Sequence, residues 1–397
     1  MATIISSQEQ AAEASIRKPV SLALQGGGSW GAYTWGVLDA LLASRSVAIT
    51  QLTGTSAGAI NAAIVVSALA KGSAGDARKS LRAFWTGLAS PSLVHVGGEA
   101  WGAVERVWRD AIRSWLLSSA GVSPYASNPL GVNPLRAAIE ASVDIEAIRS
   151  RWAPALYVTV TNVKTGLPRI ISNADMSIDA LLASACLPQI FQAVELDGEC
   201  YWDGGYGGNP TLWPLIHSGT ASDLILVQLA QDTVSEVPKD AASIQNRINE
   251  IVFNSSLVAE MQAIAALRAA AARVDGASPI SNVRLHRIGP PRPELFQQGS
   301  SSELSRAWLD TLFVEGRGAA RDFLSRNGAK IGVTETLDIG KVFTDGRKPK
   351  LRAALPATLS PSTAARSASP RLARARRVAP REAQPAQLGG AMAVGPA

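Results

Sequence analysis

Apolar residues in the first part of the chain come in short runs broken by glycine. Pro-Val-Ser-Leu-Ala-Leu at 19–24 has the length and near-continuous apolarity of a strand buried on both faces, and Gln25 with three glycines ends it. From Ala32 to Ala43 the spacing changes to three and four. Trp35, Leu38, Leu41 and Leu42 share one face, which predicts a helix. Ile49–Leu52 reads as a second strand, followed by Thr53-Gly54-Thr55-Ser56 as a turn. Ala57–Ala70, rich in alanine and with few charges, reads as a buried helix. Strand, turn and helix in repetition predict an α/β fold with a mainly parallel central sheet flanked by helices.

Further along, Leu81–Trp115 reads as helical. Trp101, Val104, Trp108, Ile112 and Trp115 recur at steps of three or four. Such a stripe belongs either to a lipid-facing flap or to a core-facing helix, and the core is the default. Residues 118–134 read as loop. Ala155–Val163 is a strand with Leu167–Ser172 as a hairpin partner, and Ser177–Cys186 is a helix. Ala193–Leu196 and Cys200–Trp202 flank Asp197-Gly198, a two-residue hairpin turn. Leu224–Ala230 is another strand, Asp240–Val274 one long helix or a broken pair, Val283–Ile288 a late strand and Glu303–Ser325 a late helix. The pattern divides the chain into a polar leader (1–17), one domain (18–347) and a low-complexity tail (348–397) of Ala, Pro, Ser and Arg, which is expected to be disordered.

Composition sharpens this in two ways. Hydrophobic residues make up 47% and charged residues only 18%, ample for a core. The net charge of +6 lies in the tail, where residues 351–397 carry seven arginines and one acid. Residues 1–350 are formally neutral, so the folded body is not a nucleic-acid binder by charge. The first twenty residues lack the apolar segment of a signal peptide, and no run reaches the roughly 18 apolar residues of a membrane span. Cys186 and Cys200 make no disulfide framework. A cytoplasmic protein is expected.

Three constellations carry chemistry. Gly54-Thr55-Ser56-Ala57-Gly58 is a G-x-S-x-G between a strand and a helix, the context of a nucleophile elbow. Gly26-Gly27-Gly28-Ser29-Trp30-Gly31, also between strand and helix, can bare its N–H groups to an oxyanion. Its spacing also fits a dinucleotide loop, but the acid required about 20 residues on is missing, as is a phosphate-binding lysine. Asp203-Gly204-Gly205 follows a strand and could supply a general base if burial lifts its pKa. Each alone is weak.

Their order, together with Ala183-Ser184-Ala185-Cys186-Leu187-Pro188-Gln189-Ile190-Phe191 and the Asn209-Pro210 that trails the aspartate, resembles the patatin-like phospholipase family over roughly Val20–Ala230. The resemblance implies a three-layer α/β fold, Ser56 as nucleophile, Asp203 as base, and Gly26, Gly27 and Gly28 as oxyanion donors, acting without a cofactor on a lipid or ester substrate. The chain departs from the family at Trp30, where an Arg or Lys is usual. That puts a phospholipid headgroup in doubt and favours neutral esters, lysolipids or polyesters.

Alternatives stay open. Ser56, Asp203 and His286 stand in the order of an α/β-hydrolase triad. His286 falls inside a strand, however, His217 at a helix end and His95 in a loop. A catalytically silent binding module of the same fold is a further alternative. No metal-ligand spacing appears. Peripheral membrane contact, through the tryptophan stripe or the arginine tail, is a third open point.

Overall fold

The computed structural model describes residues 17–89, 123–220, 222–230, 234, 236–273, 279–292, 295–296, 301 and 303–344. Among these residues eight strands form one sheet: β1 (Lys18–Leu24), β2 (Val47–Thr55), β3 (Ala155–Asn162), β4 (Pro168–Ile171), β5 (Val194–Leu196), β6 (Glu199–Asp203), β7 (Asp223–Val227) and β8 (Arg284–Ile288). Their order is β5-β6-β3-β2-β1-β7-β8, with β4 also on β3. Strands β3, β2, β1, β7 and β8 run parallel, while β4, β5 and β6 make an antiparallel edge. The Asp197-Gly198 turn closes the β5–β6 hairpin with both residues at positive φ (53° and 78°), as a two-residue hairpin turn requires.

Along β1 and β7 the alternation of a strand separates two cores. Leu22, Leu24, Ile225 and Val227 join the core on one face, and Ala23, Leu224 and Leu226 the core on the other. Helices α1 (Gly31–Ala43), α2 (Ala57–Ala70), α3 (Ala74–Leu88), α4 (Leu135–Ser142), α5 (Ile145–Arg149) and α6 (Ile178–Ser184) follow in sequence, then α7 (Trp213–Ser218), α8 (Ala241–Ala271) and α9 (Arg306–Asn327). Helices α1, α2 and α9 build the first core, and α7 with the C-terminal half of α8 builds the second. The result is the three-layer α/β arrangement.

The elements differ from expectation in a few places. Strand β2 does not stop at Leu52 but runs through Thr55, directly up to Ser56. Helix α1 carries the expected Trp35–Leu41 stripe, yet it is buried on all sides from Gly31 to Leu41. Asp39 is buried with it and is held by Arg78 (2.8 Å) and Arg317 (3.0 Å). In α2, Asn61 is buried without loss because it donates to Gly31 O (3.0 Å) and accepts from Trp85 Nε1 (2.9 Å). Where one long helix or a broken pair is expected over 240–274, the described residues form one unbroken helix of 31 residues, Ala241–Ala271. The late helix begins at Arg306 because Ser305 caps it. The tryptophan stripe 101–115, the leader and the tail lie outside the described residues. No described helix is long and apolar enough to cross a membrane.

Candidate active site

The parallel strands β1 and β2 end side by side, with Leu24 opposite Gly54, and deliver the glycine loop and Ser56 to the same edge of the sheet. Ligand sites in open α/β sheets gather at these carboxyl ends. Asp203 closes β6, the antiparallel neighbour of β3, opposite Val160. The topology thus brings together three segments that are far apart in sequence.

Ser56 stands between β2 and α2 with φ 55°, a left-handed conformation that a non-glycine residue adopts only when its surroundings enforce it. The surroundings are tight. A Cβ on Gly54 would stand 2.6 Å from Gly58 O, and one on Gly58 would run into Leu24 O. The backbone N–H of Ser56 donates to Ser184 Oγ (2.9 Å), which in turn donates to Thr159 O (2.7 Å). The serine side chain is left at the head of α2, where the N–H groups of Ala57 and Gly58 have no acceptor within the helix.

Asp203 is fully buried. Its N–H donates to Cys186 O (2.8 Å) and its Oδ1 accepts from Gly205 N–H (2.7 Å). Oδ2 is buried with no formed hydrogen bond. Burial pushes the carboxyl pKa up to about 7, against the lowering by the Gly205 N–H and by the Ser56 hydroxyl beside it. A carboxylate poised near neutrality, with a free oxygen next to a serine, can take that serine's proton.

The glycine loop is braced by two amides. Gln25 is buried. Its Oε1 accepts from Leu229 N–H (2.7 Å) and Ala230 N–H (2.8 Å), and its Nε2 donates to Asn209 O (3.2 Å) and Asn254 Oδ1 (3.1 Å). Asn209, also buried, accepts the Gly26 N–H on Oδ1 at 2.7 Å. The Gly26 donor is therefore occupied. Among the described residues, the N–H groups of Gly27 and Gly28 have no such partner. Gly26 is buried, Gly27 half-buried and Gly28 exposed.

Ser56 and the three loop glycines line a cavity of about 720 Å³, within the usual range for small-molecule sites. Trp30 forms part of its wall, edge-on against Phe296 with ring centroids 5.3 Å apart. Leu187, Ile190, Leu229 and Phe253 add apolar surface, and the N-terminal half of α8 closes one side. Arg247 on that helix is paired with Glu250 (2.8 Å).

The remaining candidates sit elsewhere. His286 is in the middle of β8, two strands beyond β1. Its Nε2 meets Asp223 Oδ1 (3.0 Å) and its Nδ1 meets Thr336 Oγ1 (2.9 Å). His217 is exposed at the end of α7, and His95 lies outside the described residues. No histidine lines the cavity among the described residues. Cys186 is buried with its thiol pushed up to about 12, first by burial and then by the charge of Asp203. No group of His, Cys, Asp or Glu suited to a metal ion occurs among the described residues.

Gln25 and Ser184 carry roles that motif reading misses. Gln25 reads as the end of a strand, and Ser184 as one letter of a block. The available signal was a lone polar residue at the end of an apolar run, which must find partners once buried.

Residues 22–216 match the family model "Patatin-like phospholipase". No curated protein sequence matches the chain. Among solved structures, VipD from Legionella pneumophila is similar at 14% identity over 78% of this chain and 67% of its own, with a TM-score of 0.38. The ExoU–SpcU heterodimer from the type III secretion system of Pseudomonas aeruginosa is similar at 20% identity over 61% of this chain and 50% of that chain, with a TM-score of 0.26. With strands β2 to β6, most of β1, the glycine loop, Ser56 and Asp203 inside the matched segment, the chain carries a patatin-like phospholipase domain over residues 22–216.

Proposed function

We propose that the protein is a lipid acyl hydrolase working through a Ser56–Asp203 dyad. The observation that carries this reading is a left-handed Ser56, which lines a cavity of mixed apolar and polar walls, beside a fully buried Asp203 whose Oδ2 is unpartnered. The Ser56 Oγ would bond to the ester carbonyl carbon while its proton passes to Asp203 Oδ2. The carbonyl electron pair moves onto the oxygen, which faces the N–H groups of Gly27 and Gly28 and the head of α2. Collapse breaks the bond to the alcohol, which leaves with the proton from Asp203. Water then attacks the acyl-enzyme, gives a proton to Asp203, and the carboxylic acid departs as Ser56 recovers its hydrogen.

No histidine is needed in this scheme. His286, the histidine weighed as a triad member, has both ring nitrogens engaged by Asp223 and Thr336.

Trp30 and Phe296 make an aromatic wall where a loop cation is expected, and Arg247 is already paired. A neutral or zwitterionic ester suits this wall better than an anionic headgroup. The outer face of α8 suits delivery from a lipid aggregate. Ile244, Ile248, Ile251 and Val252 are exposed there, on the side opposite Asn246, Asn249 and Phe253, which line the cavity.

The decisive experiment is labelling of the folded protein with a fluorophosphonate, followed by mass spectrometry. Modification of Ser56, absent in Ser56→Ala, is expected together with hydrolysis of a short p-nitrophenyl ester. Absence of both in folded protein would reduce the chain to a binding module of the same fold.

A further inference from the structure

Gly26 and Asn209 are 183 residues apart in sequence, yet the Asn209 side-chain amide grips both polar groups of Gly26. Oδ1 accepts the Gly26 N–H at 2.7 Å, and Nδ2 donates to Gly26 O at 3.3 Å. Nδ2 also donates to Phe253 O on α8 at 3.1 Å. The asparagine is itself held. Its N–H donates to Ser256 Oγ (3.1 Å), and its carbonyl accepts from Gln25 Nε2 (3.2 Å). Gln25, Gly26 and Asn209 are buried, where a polar group pays heavily for a lost partner. A side-chain amide here does what a neighbouring strand would do. It pairs with one residue beyond the end of β1 and fixes the plane of that peptide.

Resting on the hydrolase reading above, we infer that Asn209 is a positioning residue for the oxyanion site, and that the site's loop donors are Gly27 and Gly28, with Gly26 serving as their anchor. The Gly26 N–H points into the protein at Asn209 and is not available to substrate. Steric contacts set the same limit. A Cβ on Gly26 would stand 2.5 Å from Thr55 O and 2.7 Å from Ser56 Cβ, so the peptide at 26 lies against the elbow itself. Once its N–H and C=O are tied, the next two N–H groups have a fixed direction beside Ser56. The tie reaches α8 through Phe253 O, so the wall of the cavity and the oxyanion loop are held by the same amide.

Two substitutions divide the interaction. Asn209→Ala removes every side-chain bond. Asn209→Asp keeps the acceptor for Gly26 N–H but loses the donors to Gly26 O and Phe253 O. With p-nitrophenyl butyrate, both are expected to lower kcat by about 10²-fold or more, the scale of one lost oxyanion donor, with KM within about threefold. A merely structural role would instead lower the melting temperature and leave the kcat of the folded fraction intact. A folded Asn209→Ala enzyme with kcat near the parent value would overturn the inference.

A measurement on the unaltered full-length chain does not depend on the variants folding. In protein labelled with 15N-glycine, an alkylboronic acid adduct on Ser56 should move the Gly27 and Gly28 amide resonances and leave Gly26 nearly in place. A Gly26 shift as large as theirs would refute the assignment. Fluorophosphonate labelling of Ser56 in the same sample keeps failure of the hydrolase reading separate from failure of this one.

Discussion

The hydroxyl of Ser184 accepts the backbone N–H of Ser56 at 2.9 Å, and both residues are buried. Because the Ser184 hydroxyl in turn donates a hydrogen bond to Thr159 O (2.7 Å), the elbow is tied through one side chain to β3. The left-handed backbone of Ser56 is thereby over-determined, by a hydrogen bond on one side and glycine contacts on the other. Ser184→Ala would orphan a buried N–H and a buried C=O. It should destabilise the fold by about 1–3 kcal/mol, read as a lower urea midpoint at unchanged m-value. Ester hydrolysis should fall with it, because relaxation of the elbow moves the Ser56 oxygen. A variant with parental midpoint and rate would show that the glycines alone hold the elbow.

Asp203 sets the pH profile. With its carboxyl pushed up to about 7 by burial, the basic form that accepts the Ser56 proton dominates only above that value. The kcat/KM for a neutral ester should rise with unit slope below pH 7 and level off above it. Asp203→Asn should remove about 10³-fold or more of activity at all pH values, as loss of a general base does. Stability should move the other way. The folded pKa lies above the unfolded value of about 3.9, so the folded state holds the proton more tightly. Stability is then greatest below pH 4 as far as this group is concerned, and declines as pH rises from 4 to 7. Asp203→Asn escapes that decline and should melt above the parent at pH 8, a gain in stability at the expense of turnover. Equal melting temperatures at pH 8 would mean that the carboxylate is better solvated than its burial indicates.

Much of this was legible in the sequence, because the residues that build the site are locally encoded. The strand-turn-helix repeats, the Asp197-Gly198 hairpin and the extent of α2 follow from periodicity and turn chemistry. What was not legible depended on tertiary partners. Strand β2 extends to Thr55 because it pairs with β1 and β3, and Thr-Gly-Thr gives no apolar run to announce it. Gln25 and Asn209 look like loop polars until the fold places them face to face, and only then does the Gly26 N–H, expected as an oxyanion donor, prove to be engaged. Helix α1 reads as one-sided from its apolar stripe, yet its one charged residue, Asp39, is buried. Its arginine partners lie 39 and 278 residues away.

His286 separates the dyad from a triad. Its ring is fully buried and bridges Asp223 and Thr336, with Arg284 (2.8 Å) and the Gly332 N–H (2.8 Å) also on Asp223. This network ties β7, β8 and the 332–336 segment together. His286→Ala should leave kcat within a few-fold of the parent while lowering stability by about 2–4 kcal/mol, since it opens a buried void and strands polar partners. Burial holds the His286 pKa below its ordinary value, so the unfolded chain binds the proton more readily and stability falls as pH drops below about 6.5. The variant should lack that part of the acid sensitivity. A collapse of kcat in folded His286→Ala, comparable to Ser56→Ala, would restore the triad.

The exposed aliphatics of α8 separate the chemistry from access to lipid. Ile248 and Ile251 are 47% and 54% exposed, and neither lines the cavity. Burying one isoleucine side chain is worth about 1.5–3 kcal/mol. Partial immersion of two in a lipid surface therefore suffices for a tenfold gain in bound enzyme. Ile248→Glu/Ile251→Glu should lower co-sedimentation with phosphatidylcholine vesicles, and hydrolysis on them, by about tenfold or more. Hydrolysis of dissolved p-nitrophenyl butyrate should stay within twofold, because neither side chain faces Ser56. Since the vesicles are zwitterionic, the effect should persist in high salt, unlike an attachment made through arginines. Equal loss on both substrates would mean that the double change distorts α8 itself, and no loss on either would place the lipid contact on another part of the surface.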